Sequence, residues 1–336
     1  MAALLTLAVS VGSIIFLDMM IKQNDELLGD AGNEECDAYY VLVTEEADTD
    51  FWKNILKGAL EKAAEDNIYL SVQQQALSET MTKQQQMEMA IHSGVDGILL
   101  DGGESPSLLN LVNQAASAGI PVVTMYHDCA PSSRISYVSI SGTNMGRSYG
   151  EQICELVRES EKAASEKLDV MVLLDASDST GAQNILLTGM REELEAGGMG
   201  ELVELETTAI HSGSMFSAQE EIRRLFAERK PADIFVCLDE LSTASVSQLV
   251  VDYNLVGSVQ ILGFYKSDAI NSALEKQIIS ATIVADTYQM GRDGVEALNE
   301  YRQSGYVSEY YTSGISVLRA GYSAGQSVET EEGGGL

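Results

Sequence analysis

From Ala38 onward, short apolar runs alternate with helical stretches of roughly 12 to 18 residues, and no other feature restricts the fold so strongly. Strand, helix and strand in regular succession build a parallel sheet, because the helix must carry the chain back before the next strand can run in the same direction. The pattern predicts strands over Tyr39–Thr44, Ile68–Val72, Gly97–Asp101, Pro121–Met125 and Tyr137–Ile140, then Val170–Asp175, Leu202–Thr207, Ile234–Leu238, Gln260–Phe264 and Ser280–Ala285. Helices are expected between them. One runs from Ser78 to His92, with Ser78, Glu79 and Thr80 as cap candidates and Gly94 at its end; another is opened by Ser105 and Pro106 and closed by Gly119.

The array is duplicated. SGVDGILLDG (Ser93 to Gly102) and KPADIFVCLDE (Lys230 to Glu240) both read as turn, aspartate, strand and acidic loop. A chain of 336 residues also exceeds what one hydrophobic core normally fills. The expected fold class is therefore α/β, with two similar doubly wound parallel-sheet lobes. Ligands of such sheets bind beyond the carboxyl ends of the strands, so two facing lobes make a cleft lined by strand-end loops and closed by hinge motion.

Charge narrows the partners. With 20 Lys plus Arg against 51 Asp plus Glu, the formal net charge is -31, which repels phosphate backbones and anionic lipid. No nucleic acid partner is expected. The 45% hydrophobic and 21% charged fractions are those of a globular chain. Cys36, Cys129, Cys154 and Cys237 show no C-x-x-C spacing, and three lie in apolar runs, which reads as buried core rather than a disulfide framework. Residues 2–17 carry no charge, and Met19, Met20 and Ile21 extend the apolar run past Asp18 to about the ~20 residues of a bilayer span. No A-x-A site closes the run and no cysteine follows it directly, so residues 1–21 are read as an uncleaved signal anchor and the polar, acidic residues 22–37 as a linker. The expected location is the cell membrane, extracytoplasmic face.

Catalytic motifs are missing. There is no G-x-x-x-x-G-K-[ST] loop, and no G-x-G-x-x-G follows the first strand, so neither a nucleoside triphosphate nor a dinucleotide cofactor is expected. Gly321-Tyr322-Ser323-Ala324-Gly325 fits G-x-S-x-G but has no histidine after it, as a nucleophile elbow requires. His92, His127 and His211 stand apart from one another and from any cysteine pair, so no metal site is expected. His92, at a helix end, favours the helix dipole.

The stretch from Tyr39 to about Arg319 resembles the sugar-binding branch of the type I periplasmic binding proteins, the ribose- and galactose-type substrate-binding components of ABC transporters, which share their fold with the lactose repressor family. The resemblance is carried by DTDFWKNILKGALEKAAE (Asp48 to Glu65), MEMAIHSGVDGILLDGGES (Met87 to Ser105), ASAGIPVVTMYHD (Ala116 to Asp128), TNMGRSYGE (Thr143 to Glu151), DIFVCLDELSTAS (Asp233 to Ser245) and ILGFYKSDAINSALEKQIISATIVADTYQMG (Ile261 to Gly291), in the family's order. It implies three hinge crossings, near Ile140 to Gly142, Ala285 to Thr287 and Thr312 to Gly314. The implied N-terminal lobe is 38–140 plus 287–312 and the C-terminal lobe 141–286 plus 313–320, with 321–336 a disordered tail. A repressor is excluded because an apolar segment and an acidic linker stand where its helix-turn-helix would be.

The resemblance also implies site residues. Phe51 and Trp52 fall on the family's aromatic pair, whose rings stack on a pyranose, and Asp48 and Thr49 share their loop. Tyr126 and His127, followed by Asp128, replace the aspartate and arginine usual after the fourth strand. The arginine expected in the helix after Asp175 is missing too, with Leu186 or Asn184 near that point. Asp239, Tyr265 and Asp286 stand at the remaining strand-end positions. Asp48, Asp128, Asp239 and Asp286 thus leave His127 as the one possible cation, an arrangement suited to a ligand rich in hydroxyls or bearing an amino group. The expected function is non-catalytic capture of a small polar molecule, a saccharide or derivative, for an ABC permease. The alternatives are presentation of that ligand to a membrane sensor such as a histidine kinase and, more remotely, an enzyme on the same scaffold.

Overall fold

The computed structural model describes residues 36–72, 81–176, 181–211, 215–228 and 231–319. The anchor, most of the linker, the tail and the cap candidates Ser78, Glu79 and Thr80 lie outside the described residues. Among the described residues no helix is long and apolar enough to cross a membrane.

The first sheet is built from β1 (Ala38–Val43), β2 (Ile68–Val72), β3 (Gly97–Leu100), β4 (Val122–Met125) and β5 (Ser136–Ile140), with helices α1 (Asp50–Glu65), α2 (Lys83–Ser93) and α3 (Pro106–Ser117) between the first four strands. Helix α4 (Gly142–Glu159) leads into the second sheet. That sheet comprises β6 (Leu168–Asp175), β7 (Val203–Ile210), β8 (Ile234–Cys237), β9 (Gln260–Phe264) and β10 (Ala281–Ala285), with α5 (Ala182–Ala196), α6 (Met215–Glu228), α7 (Glu240–Asp252) and α8 (Asp268–Glu275) as connections. After α9 (Thr287–Ser304) the chain adds β11 (Tyr310–Ser313) to the first sheet and β12 (Ile315–Arg319) to the second. The strand orders are β11-β5-β4-β3-β1-β2 and β12-β10-β9-β8-β6-β7. Every pairing is parallel except that of β12 with β10, which is antiparallel. The result is a two-lobe α/β fold. The alternating pattern predicts its first ten strands to within a few residues, whereas β11 and β12 are additional.

Burial explains the pattern. Strands β3, β4, β8 and β10 are buried at every position, as strands covered by helices on both faces must be. Edge strand β7 instead exposes Glu204 and Glu206, charges that blunt an open edge. Helix α2 starts later than the caps expected from sequence: Thr82 accepts from the Gln85 amide while the Gln85 side chain accepts from the Thr82 amide. Ser105 caps α3 and Gly94 closes α2 with φ 62, as expected. Cys129, Cys154 and Cys237 are buried free thiols, and Cys36 is exposed.

The duplication extends to packing. Asp96 and Asp233, the first aspartates of the repeated motif, do the same work at the strand starts. Asp96 Oδ2 accepts the Tyr39 amide at 2.8 Å, and Asp233 Oδ2 accepts the Asp169 amide at 2.9 Å. Each lobe also has a helix pair in backbone contact. A Cβ on Gly291 of α9 would stand 1.9 Å from the Ile55 carbonyl oxygen of α1, and one on Gly146 of α4 would stand 2.1 Å from that of Leu186 in α5. Only glycine permits that approach.

Candidate functional site

The carboxyl ends of β4 and β9, equivalent strands of the two sheets, carry the same unusual residue. Tyr126 and Tyr265 follow these strands directly and hold φ at 63° and 68°, a left-handed conformation costly for a bulky residue. Both turns are pinned. The Tyr126 amide donates to the Val138 carbonyl at 2.9 Å and the Tyr265 amide to that of Ile283 at 2.7 Å. Their own carbonyls accept from the Tyr137 hydroxyl and from Thr282 Oγ1, each at 2.8 Å. The bent backbone aims both rings at Phe51, whose centroid lies 4.6 Å from Tyr126 and 5.2 Å from Tyr265.

Phe51 is the second residue of α1. Thr49 caps this helix, accepting from the Trp52 amide at 3.3 Å and donating to the Glu46 carbonyl at 2.9 Å. Phe51 therefore meets an aromatic wall formed by both lobes, with Phe264 also 6.1 Å away. Trp52 turns the other way, into the apolar core, and is 1% exposed. Asp48 is exposed in the loop before α1. Tyr265, 2% exposed, reaches across to the first lobe, where its hydroxyl lies 3.1 Å from the Asp50 carbonyl oxygen and 3.2 Å from Thr287 Oγ1.

The acids expected in the cleft divide by role. Asp128 is committed within its lobe: Arg134 grips it with Nε at 2.5 Å and Nη2 at 2.8 Å, while Thr124 Oγ1 and the Cys129 amide donate to Oδ1. Asp239 caps α7, accepting from the Ser242 amide at 2.7 Å and hydroxyl at 2.8 Å. Asp286 caps α9 through the Gln289 amide at 2.9 Å, and its side chain is exposed. Capping occupies part of each carboxylate and leaves further lone pairs open.

His127 is not the lone cation. Its Nδ1 lies 2.8 Å from Asp101 Oδ1, and Lys83 Nζ lies 3.1 Å from Asp101 Oδ2, so α2 and the ends of β3 and β4 meet in one ionic triad. Burial works to raise the Asp101 pKa, but His127 and Lys83 outweigh it and hold the carboxyl below its usual range. Burial likewise opposes the charge on His127, yet the Asp101 hydrogen bond and charge raise its pKa above the ordinary histidine value. Glu46 stands near enough to act on Asp101 and His127 and to feel Asp175, which also acts on Asp239, and Asp239 in turn acts on Glu240. Desolvation pushes up the pKa of Glu46, Asp239 and Glu240, and at Glu46 the negative charges of Asp101 and Asp175 act in the same direction.

Sequence reading did not single out Glu46, Lys83, Asp101, Arg134, Asp175 or Glu240. A signal for two of these acids was present: ILLD and VLLD each end an apolar strand on an aspartate, at Asp101 and Asp175, as VCLD does at the expected site residue Asp239. Among the described residues no group of three or more His, Cys, Asp or Glu is placed to hold a metal ion.

Two parallel-sheet lobes whose strand-end loops converge on a shared aromatic and acidic lining are the architecture of a two-lobe binding protein. The comparisons name the family. Residues 39–305 match the periplasmic binding protein domain, and the chain belongs to that family. No curated protein matches it. Among solved structures it is similar to GanP, a glucose-galactose binding protein from Geobacillus stearothermophilus, at 21% identity and TM-score 0.73 over 85% of this chain and 98% of that one. The sugar-binding protein of a sugar ABC transporter from Bacillus halodurans aligns at 20% identity and TM-score 0.71 over 84% and 97%. XylFII, in its complex with LytSN, aligns at 21% identity and TM-score 0.69 over 84% and 98%. These likenesses show the fold.

Proposed function

We propose that this chain is an extracytoplasmic solute-binding protein that captures a saccharide or derivative between its lobes and delivers it to an ABC permease, with no catalytic step. The observation that carries this reading is the meeting of Phe51 of one lobe with Tyr265 of the other beside strand-end carboxylates, which offers apolar faces and hydrogen-bond acceptors to a polyol. Solved proteins of this fold include solute-binding proteins in complex with D-arabinose and with D-fucose. Under this reading Asp48, Thr49, Phe51, Tyr126, His127, Asp239, Tyr265 and Asp286 border the ligand once the lobes have moved, while Trp52, expected from sequence to touch it, lies buried in the core and backs Phe51 from 6.1 Å. Asp128 supports them through its pairing with Arg134. The lobes are 38–140 plus 287–312 and 141–286 plus 313–320, joined by hinges at the three crossings, and residues 1–21 anchor the body through the 22–37 linker.

Calorimetry against D-glucose, D-galactose, D-arabinose, D-fucose and their amino derivatives tests the ligand class; heat from none of them overturns it. Cell fractionation with sequencing of the mature amino terminus tests the anchor, and a soluble protein beginning after Met20 removes it. A second reading, presentation of the ligand to a membrane sensor, is favoured by the similarity to XylFII, which has been solved bound to LytSN. Co-purification from detergent-solubilised membranes separates the two roles by recovering either a permease or a kinase.

A further inference from the structure

We infer that His127 is a proton-dependent ligand contact, held by Lys83 and Asp101 so that its Nε2 edge faces the interlobe space as an acceptor when neutral and a donor when protonated. This inference rests on the saccharide-binding reading and adds a selectivity rule to it.

The geometry is that of a built positioning device. Asp101 is 3% exposed and fully engaged: Oδ1 holds His127 Nδ1 at 2.8 Å, while Oδ2 takes Lys83 Nζ at 3.1 Å and Thr44 Oγ1 at 3.3 Å. Lys83 is fixed in turn, donating to the Gly102 carbonyl at 3.1 Å. The backbone reinforces the arrangement. A Cβ on Gly102 would stand 2.2 Å from the His127 carbonyl oxygen, so the loops after β3 and β4 are pressed together at the backbone that carries the ring. Tyr126 covers one side of the ring, with centroids 4.4 Å apart in an edge-on arrangement. The His127 side chain nevertheless stays 40% exposed, and Nε2 makes no hydrogen bond among the described residues. A carboxylate on Nδ1 fixes that nitrogen as the N–H of the neutral ring, which leaves Nε2 a lone pair.

The charged and titratable groups around the ring come from every neighbouring element: Glu46 after β1, Lys83 on α2, Asp101 after β3, Tyr126 after β4, and Asp175 and Asp239 on the second lobe acting on Glu46 and Tyr126. Asp101 and Glu46 favour the protonated ring, whereas burial and Lys83 oppose it. The net shift is upward, so the change of role falls above the ordinary histidine value and the amino-sugar affinity falls throughout the acidic range.

Selectivity follows from donor and acceptor counts. An ammonium group only donates, so beside His127 it requires the neutral ring; its binding lowers the histidine pKa, and its affinity is lost as pH falls through that pKa. The loss is up to about tenfold per pH unit, one proton being displaced. A neutral hydroxyl donates or accepts by rotating, so the parent sugar keeps a flatter profile.

The test pairs D-glucosamine with D-glucose, and D-galactosamine with D-galactose, by calorimetry from about pH 5 to pH 7, where the ammonium stays charged. In the ligand-free protein, ¹⁵N NMR of the three histidines, assigned with His127→Gln, reads the tautomer and pKa. Asp101→Asn should lower the His127 pKa by about one unit or more. Lys83→Met, which keeps the stem and spares Asp101 should that first variant fail to fold, should raise it. A steep amino-sugar profile that flattens in His127→Gln supports the inference, and an identical profile in that variant overturns it. If no saccharide binds, the saccharide reading falls and the ligand-free spectra decide: a free Nε2 with opposite shifts in the two variants upholds the positioning device, and an ordinary, unresponsive pKa overturns it.

Discussion

Removing one oxygen tests whether the lobes are held together where the structure shows them touching. In Tyr265→Phe the ring and its packing on Phe51 persist, and only the hydroxyl is lost. That hydroxyl sits in a chain of hydrogen bonds with a definite direction. Asn54 Nδ2 donates to Thr287 Oγ1 at 2.7 Å, which frees the threonine proton for Tyr265 at 3.2 Å and the tyrosine proton for the Asp50 carbonyl at 3.1 Å. Two bonds disappear at a site where Thr287 is 0% exposed, and the Asp50 carbonyl loses a donor. At about 0.5–1.5 kcal/mol for each net bond, the loss is about 1–3 kcal/mol. Because Tyr265 follows β9 of the second sheet while Asp50 and Asn54 belong to the first lobe, the cost falls on the contact between lobes and not on either core. The closed-to-open ratio should drop roughly 5- to 150-fold at about 1.4 kcal/mol per decade, and ligand affinity should fall with the closed population. Small-angle scattering of the unliganded protein should show a larger radius of gyration, and amide exchange should speed up over residues 50–54. An unchanged radius and unchanged exchange would mean that this hydroxyl carries no interlobe energy, and the argument would fail.

Other outcomes follow from the same structure. Gly291→Ala places a methyl 1.9 Å from a backbone oxygen, so α1 and α9 must separate by more than an ångström; a urea titration should show at least the ~1–3 kcal/mol typical of overpacking, and a smaller loss would contradict the close crossing. Arg134→Met strips Asp128 of a bidentate partner that is 6% exposed and should cost about 3–5 kcal/mol by thermal unfolding, while a near-neutral result would show the pair to be water-screened. Phe51→Ala should abolish most saccharide binding in calorimetry while Trp52 emission still reports a folded lobe; full affinity would remove Phe51 from the site. Uronic acids and sugar phosphates should bind at least tenfold more weakly than their neutral parents, given Glu46, Asp175, Asp239 and Glu240 around the cleft, and tight binding of either would refute the acidic potential.

The fold was legible because its signal is periodic and repeated. Apolar runs such as GILL and IFVC are buried on both faces, and both kinds of strand end in a recognisable acidic loop. Strand β11, YYTS, hid because an edge strand of four residues exposes alternate side chains and shows no apolar run. The site was legible only as positions. Phe51, Tyr126 and Tyr265 come together as a three-ring contact, but the left-handed φ of the two tyrosines has no sequence signature, since bulky residues seldom adopt it. The Lys83–Asp101–His127 triad joins residues 18 and 26 positions apart, and the Arg134–Asp128 pair turns on a loop geometry that charge counting cannot supply.

The three passages of chain between the sheets lie side by side. Ser313 pairs with Ile140 at the end of the first sheet, Ala285 pairs with Ile315 at the start of the second, and the Asp286 amide donates to the Gly314 carbonyl at 2.9 Å between them. Three neighbouring covalent ties act on the lobes as three pins act on a door. They oppose shear and twist, which would stretch one tie while slackening another, and they leave one soft rotation about their common line. Under the proposed binding function, a ligand's binding energy is concentrated on a single angle, and a few degrees of backbone change at residues 140–142, 285–287 and 312–314 are magnified by the length of each lobe into ångströms at the mouth of the cleft.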